Sequence, residues 1–243
     1  MYIVEIIYPY FRDSVYPRFL DIITAPIDNL NMLWIVAPLL ITLFLVQTYF
    51  GRHKDEELGW NTAYGNTIVL IFISINLLHH VYQTFSYEAL RSFSGTPFYQ
   101  SILVLAVFFY AFVLLLIDFS HSLPKKLAFF LSSSITVNVV AFVSIVLVYS
   151  SVPFDRVTLV TAICIFVAVW LFFKLFKWII PPTEEAEKFL EKKEEKKEEK
   201  KQEKRLANYK QARDIEHHIK KEIGNLAEKA GEKLKIVKNL FKK

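Results

Sequence analysis

Five stretches of this chain, 32–50, 62–83, 98–119, 127–149 and 156–179, are apolar and free of charge at their centres, and short polar segments separate them. Each is close to or above the roughly 18–20 apolar residues that a helix needs to cross a hydrocarbon core about 30 Å thick. The pattern predicts an all-α, polytopic membrane protein, a bundle of five transmembrane helices over 32–180. Residues 1–31 read differently: they are aromatic and interrupted by Pro9, Pro17 and Pro26. Val15, Phe19, Ile22 and Ile23 share one helical face, which predicts either a short helix lying on the outer leaflet or an irregular arm packed on the bundle. Pro38 falls inside the first span, where it removes one backbone hydrogen bond and can kink the helix. Pro181 and Pro182 end the fifth span, and Thr183 followed by Glu184 and Glu185 predicts the capped start of a further helix.

Charge adds orientation. The chain is 53% hydrophobic and 16% aromatic, too apolar for an ordinary soluble domain of 243 residues. Through Pro182 it holds ten basic and ten acidic residues, so the whole net charge of +5 lies in the tail. All lysines of the membrane part fall at or beyond the ends of the first, third and fifth spans (Lys54, Lys125, Lys126, Lys174, Lys177). By the positive-inside rule this predicts N-out and C-in, an integral protein of the plasma membrane with a cytosolic tail. Trp34, Tyr82, Tyr99 and Tyr149 would mark the outer interface, and Tyr49, Trp60 and Trp178 the inner one. The first 31 residues contain acids and no lysine, so they lack the basic start of a secretory signal. Cys164 is the sole cysteine, which excludes an intramolecular disulfide, a CxxC redox pair and a cysteine zinc site.

The tail has two parts. In 183–205 the run EKKEEKKEEKK places like charges at i,i+4, as in Lys192, Lys196 and Lys200, and predicts a frayed, solvated helical spacer. In 206–243, Ile219, Ile223, Leu226, Ala230, Leu234, Val237 and Phe241 recur at steps of three or four, while Lys220, Lys221, Lys235, Lys238 and Lys242 face away. That is a basic amphipathic helix suited to docking on anionic lipid headgroups, a ribosome or other RNA, or an acidic protein. The alternative is a solvated, solubilising extension.

The second span carries the chemistry. At 100° per residue, Thr62, Asn66, Asn76, His80 and Gln83 fall within an arc of about 100°, a polar stripe expected to face protein or water and not lipid. Ser134, Asn138 and Ser144 form a matching face on the fourth span, and Asn66 and Ser134 are expected at similar depth. Asp118 and His121, one turn apart at the end of the third span, are a possible proton or ion site; the plainer expectation pairs Asp118 with Lys125, Lys126 or Arg52. The stripe itself has two readings, a polar path or hydrogen bonds that join helices. His79 and His80 point about 100° apart and make poor partners on one metal. No cofactor or metal is implied, and no HExxH, GxSxG, P-loop or dinucleotide fingerprint is present.

The segment GRHKDEELGWNTAYGNTIVLIF, residues 51–72, resembles uncharacterised multi-pass membrane proteins of archaea, a resemblance that implies a multi-pass fold and no activity. Five spans with a basic tail are also similar in topology to membrane insertases of the YidC type. That family has a cytosolic helical hairpin after its first core span, where this chain has only GRHKDEELG, and a basic residue inside a membrane groove, where no span here has Lys or Arg at its middle. The likeness stays one of topology. The functional expectation is a non-enzymatic membrane anchor or scaffold whose tail docks a partner, with a possible homo-oligomer. The alternatives are a small channel or transporter using the polar stripe and an insertase-like biogenesis factor.

Overall fold

A computed structural model of the chain describes residues 8–56, 59–91, 95–150 and 152–240, with backbone alone for 86–91, 212, 214–230 and 232–240. The described residues are helical almost throughout and contain no strand. They form two units, 1–186 and 187–243.

The first unit holds α1 (Tyr16–Asp28), α2 (Leu30–Arg52), α3 (Trp60–Arg91), α4 (Thr96–Ser120), α5 (Lys125–Leu131), α6 (Ser134–Tyr149) and α7 (Arg156–Ile179). Five helical segments are long and apolar enough to cross a membrane: α2, α3 to Phe85, α4, α5 with α6, and α7. The protein is therefore an integral membrane protein of five candidate spans.

Local chemistry sets the ends. Asn29 caps α2, its side-chain oxygen accepting from the Asn31 and Met32 amides. Gly95, at φ +89°, takes a backbone conformation closed to most L-residues, and Pro97 follows in the first turn of α4. Pro38 sits inside α2 on an exposed face, and the helix continues through it. Gly51 allows the end of α2 to approach the end of α7: a Cβ there would stand 3.1 Å from the Ile180 Cδ1.

The described part of the first segment, residues 8–31, is helical except at Asn29. After a π-helical turn, Phe11–Val15, α1 is a regular helix, and it packs into the bundle with Val15, Ile22, Ala25 and Pro26 buried. Arg18 fastens it to the start of α7, donating to the Pro153 carbonyl (3.1 Å) and the Thr158 hydroxyl (2.8 Å) and pairing with Asp155 at 3.5 Å. Asp155 caps α7 through the Thr158 amide at 2.8 Å. That amide, chiefly, holds the Asp155 carboxyl below its ordinary pKa, and Arg18 adds to the effect.

The fourth span is the axis. In its apolar window 78% of residues are buried, against 17–28% in the other four, and α6 touches α1, α2, α3, α4 and α7. Composition explains the choice: Ser134, Ala141 and Ser144 are small enough to let neighbouring backbones close around it. The outer spans keep their bulky side chains outward, with Trp34, Phe72, Phe119 and Trp178 all largely exposed.

The second unit, 187–243, is supplied by α8 (Glu184–Leu240), a helix of 57 residues. Every described side chain from 191 to 211 is exposed.

Candidate functional site

The fourth span is broken. α5 stops at Leu131, Ser132 and Ser133 leave the helix, and α6 restarts with Ser133 as its cap, the hydroxyl accepting from the Thr136 amide at 3.2 Å. A break frees the backbone carbonyls of the turn before it, and in a membrane no water replaces their partners. Here three of them are met by side chains. The Thr136 hydroxyl donates to Phe130 O (2.7 Å), the Tyr110 hydroxyl to Leu131 O (3.3 Å), and the Asn66 amide to Ser132 O (2.9 Å). Asn66 also reaches the Ser134 hydroxyl at 3.2 Å. The structure thus brings Asn66 and Ser134 together, and it explains why an apolar span keeps an asparagine.

The other end of α6 is closed in the same way. Gln100 of α4 donates to Leu147 O and Val148 O at 3.5 and 3.2 Å, and Asn29 donates to Tyr149 O at 3.3 Å. The His80 ring stacks on Tyr149, centroids 3.7 Å apart and planes 17° from parallel. α6 is a 16-residue helix, about 24 Å long at 1.5 Å per residue, held at both ends by its neighbours.

The rest of the expected stripe is not assembled. The buried line of α3 is Ala63, Thr67, Leu70, Ser74, Leu77 and Val81, whose mean direction lies roughly 110° from the stripe at 100° per residue. Thr62, Asn66 and His80 stand at the edge of that line and are half-buried, whereas Asn76 and Gln83 are exposed on the outside of the bundle. Of a stripe expected to face protein or water, only this edge meets protein within the chain; the apolar members of the helix, together with Thr67 and Ser74, take the buried side. Asn138 donates to Ser134 O (2.6 Å) and Ser144 to Val140 O (2.7 Å), both within α6, so neither reaches across to α3.

Asp118 and His121 differ in burial. Asp118 is 2% exposed between α3 and α4, with the Thr67 hydroxyl 3.0 Å from its Oδ2 and no partner for Oδ1. The Thr67 hydroxyl is also 3.0 Å from Ala63 O, so its single proton is shared. Among the described residues Asp118 forms no ion pair, which corrects the expected pairing with Lys125, Lys126 or Arg52. It lies on the buried side of α4, one turn inside the helix end, while Lys125, Lys126 and Arg52 are exposed. His121 ends α4 at φ +52° and is exposed, its ring 4.1 Å from that of Trp60.

Sequence reading passed over what lies on the far side of the break. A cleft of about 520 Å³ opens between the end of α2, the α5–α6 break and α7. Lys54, Lys126, Lys177 and Glu56 line it with Gln47, Ser133 and Ser134, and Phe50, Phe129, Phe130, Phe166 and Trp170 give it an aromatic wall. The serines of the break and the lysines at three separate helix ends were visible in the sequence; that they share one cavity was not. Gln47 is 4% exposed, and its Oε1 has no partner. Glu56 is engaged by the Tyr49 hydroxyl at 2.9 Å. Lys54 donates to Ile180 O at 3.3 Å, and none of the three lysines has a carboxylate within ion-pair distance among the described residues.

Of the tail positions, Phe241 lies outside the described residues. Lys220, Lys221, Ile223, Leu226, Leu234, Lys235, Val237 and Lys238 lie where the backbone is helical and the side chains fall outside the described set. Among the described residues no group of three or more His, Cys, Asp or Glu stands close enough to hold a metal ion. No protein-family model, curated protein or solved structure matches this chain.

Proposed function

We propose that the protein is a non-enzymatic membrane anchor, oriented N-out and C-in in the plasma membrane, whose cytosolic tail docks a partner with an acidic surface. The observation that carries this reading is α8: a helix of 57 residues whose described side chains from 191 to 211 are exposed without exception. A stretch of soluble helix whose described side chains, 191 to 211, are all exposed gains little stability alone, so its worth lies in what it meets. Its far part, 204–243, holds twelve basic and five acidic residues together with the apolar series from Ile219 to Phe241. Basic charge alone would suit any polyanion. The apolar series asks for a groove as well, which favours an acidic protein over a ribosome or other RNA, and stacking aromatics are limited to Tyr209 and Phe241.

The polar interior fits a holding role. Asn66, Tyr110, Thr136, Gln100 and Asn29 spend their hydrogen bonds on the backbone of the fourth span, so they fix a bundle.

The test compares the full chain with one ending at Ala186, both purified in mild detergent. Ala186 is the right limit because it is fully buried and the Thr183 amide donates to Arg52 O at 3.0 Å, so a cut at Pro182 would damage the membrane unit. A protein partner held only by the full chain, released by high salt and lost when Lys220, Lys221, Lys235 and Lys238 are changed to glutamine, supports docking. A full chain that holds nothing beyond what the shortened chain holds refutes it.

A further inference from the structure

We infer that the cleft beside the broken fourth span is a binding site for one anionic phospholipid, its phosphate held by Lys54, Lys126 and Lys177. Three lysines from three separate segments, the α2–α3 loop, α5 and α7, line one cavity. None has a carboxylate partner among the described residues, and the one acid among the described residues lining the cleft, Glu56, is turned to Tyr49. Like charges brought together without counter-ions repel, and an anion between them removes the repulsion. Lys177 is half-buried, which raises the cost of leaving it unpaired.

The walls choose a lipid over a soluble anion. Trp170 and Phe130, 43% and 52% exposed, face outward from the membrane-spanning part of the bundle and offer an acyl chain an apolar surface beneath the lysines. The ligand is therefore an anionic phospholipid, such as phosphatidylglycerol.

The experiment uses the full chain in phosphatidylcholine nanodiscs doped with phosphatidylglycerol brominated on its acyl chains, with quenching of tryptophan fluorescence as the readout. The expected result is saturable quenching by brominated phosphatidylglycerol, absent with brominated phosphatidylcholine at equal content, with the saturable part lost in Trp170→Phe. At about fivefold per lysine near an anionic surface, changing Lys54, Lys126 and Lys177 together to glutamine should weaken the affinity about 100-fold. The same three changed to arginine should keep it, which separates charge from folding. Equal quenching by the two lipids, or full affinity in the glutamine variant, would overturn the proposal. Loss of the quenching on adding millimolar inorganic phosphate would assign the site to a soluble anion and overturn it as well. Removing 187–243 should leave the effect in place, so its outcome is independent of tail docking.

Discussion

Asn66→Leu is the sharpest test of how the bundle is held. The substitution keeps volume and hydropathy suited to a membrane helix and removes two contacts, the 2.9 Å bond to Ser132 O and the 3.2 Å bond to the Ser134 hydroxyl. An average hydrogen bond between membrane helices contributes only about 0.6 kcal/mol, because the unfolded helices find other partners. Ser132 O is different: it lies where α5 has ended, so it has no amide of its own helix to fall back on. Leaving such a group unsatisfied costs about 1–3 kcal/mol. The expected fall in the thermal midpoint is roughly 2–10 °C for a chain of this size. Cys164, the sole cysteine, sits half-buried in α7, so a thiol-reactive dye in detergent reports its exposure on heating without competing sites. Asn76→Leu is the control: the residue is exposed on the same helix, so its loss should leave the midpoint level or raise it. If Asn66→Leu melts with the wild type while Asn76→Leu melts early, the break is not what Asn66 serves, and the stripe would have to be read anew.

Two further outcomes follow from the buried and capping carboxylates. Thr67→Val strands Asp118 and should cost about 1–3 kcal/mol, while Thr67→Val with Asp118→Leu removes both partners and should recover most of it; a single variant as stable as the wild type in the dye assay would refute the pairing. The Asp155 carboxyl is held below its ordinary range, so the stability it adds is complete above about pH 4 and is lost as pH falls through the lowered value. Asp155→Asn keeps a good helix cap, and its midpoint should therefore match the wild type near neutrality and fall less steeply below pH 4; parallel curves would contradict this assignment.

Much of the fold was legible because a membrane span writes itself in one variable. Five charge-free runs of sufficient length yielded five candidate spans. What hydropathy could not show was which span lies inside, since in lipid an inner and an outer helix are about equally apolar. The signal for the centre was small residues: Ser134, Ala141 and Ser144 marked the fourth span. The stripe on the second span divides between edge and outside for a related reason. An angular arc groups polar residues, yet packing assigned the buried side of α3 to Ala63, Leu70, Leu77 and Val81, and only the edge of the polar arc reached the interior.

The triplet Ser132, Ser133 and Ser134 was the signal that stayed unread. One serine in a membrane helix returns its proton to its own backbone, as Ser74 does to Leu70 O, and leaves the helix intact. Three in a row, with Thr136 beyond, provide a cap for a new start, and the helix can then stop and begin again. Such a break is stable only if other helices bring donors to its carbonyls, so a serine cluster in one span demands polar side chains at the same depth in its neighbours. Asn66 on α3 and Tyr110 on α4 are those side chains, two residues that look unrelated in the sequence. The break also explains the cleft. A helix running straight from 125 to 149 would present one continuous ridge toward α2 and α7, whereas the turn at Ser132 and Ser133 interrupts that ridge and leaves a hollow below the lysines. The donors that stabilise the break and the cavity it opens lie on opposite sides of it, so the bundle can be held firm on one side while the other stays open to a lipid.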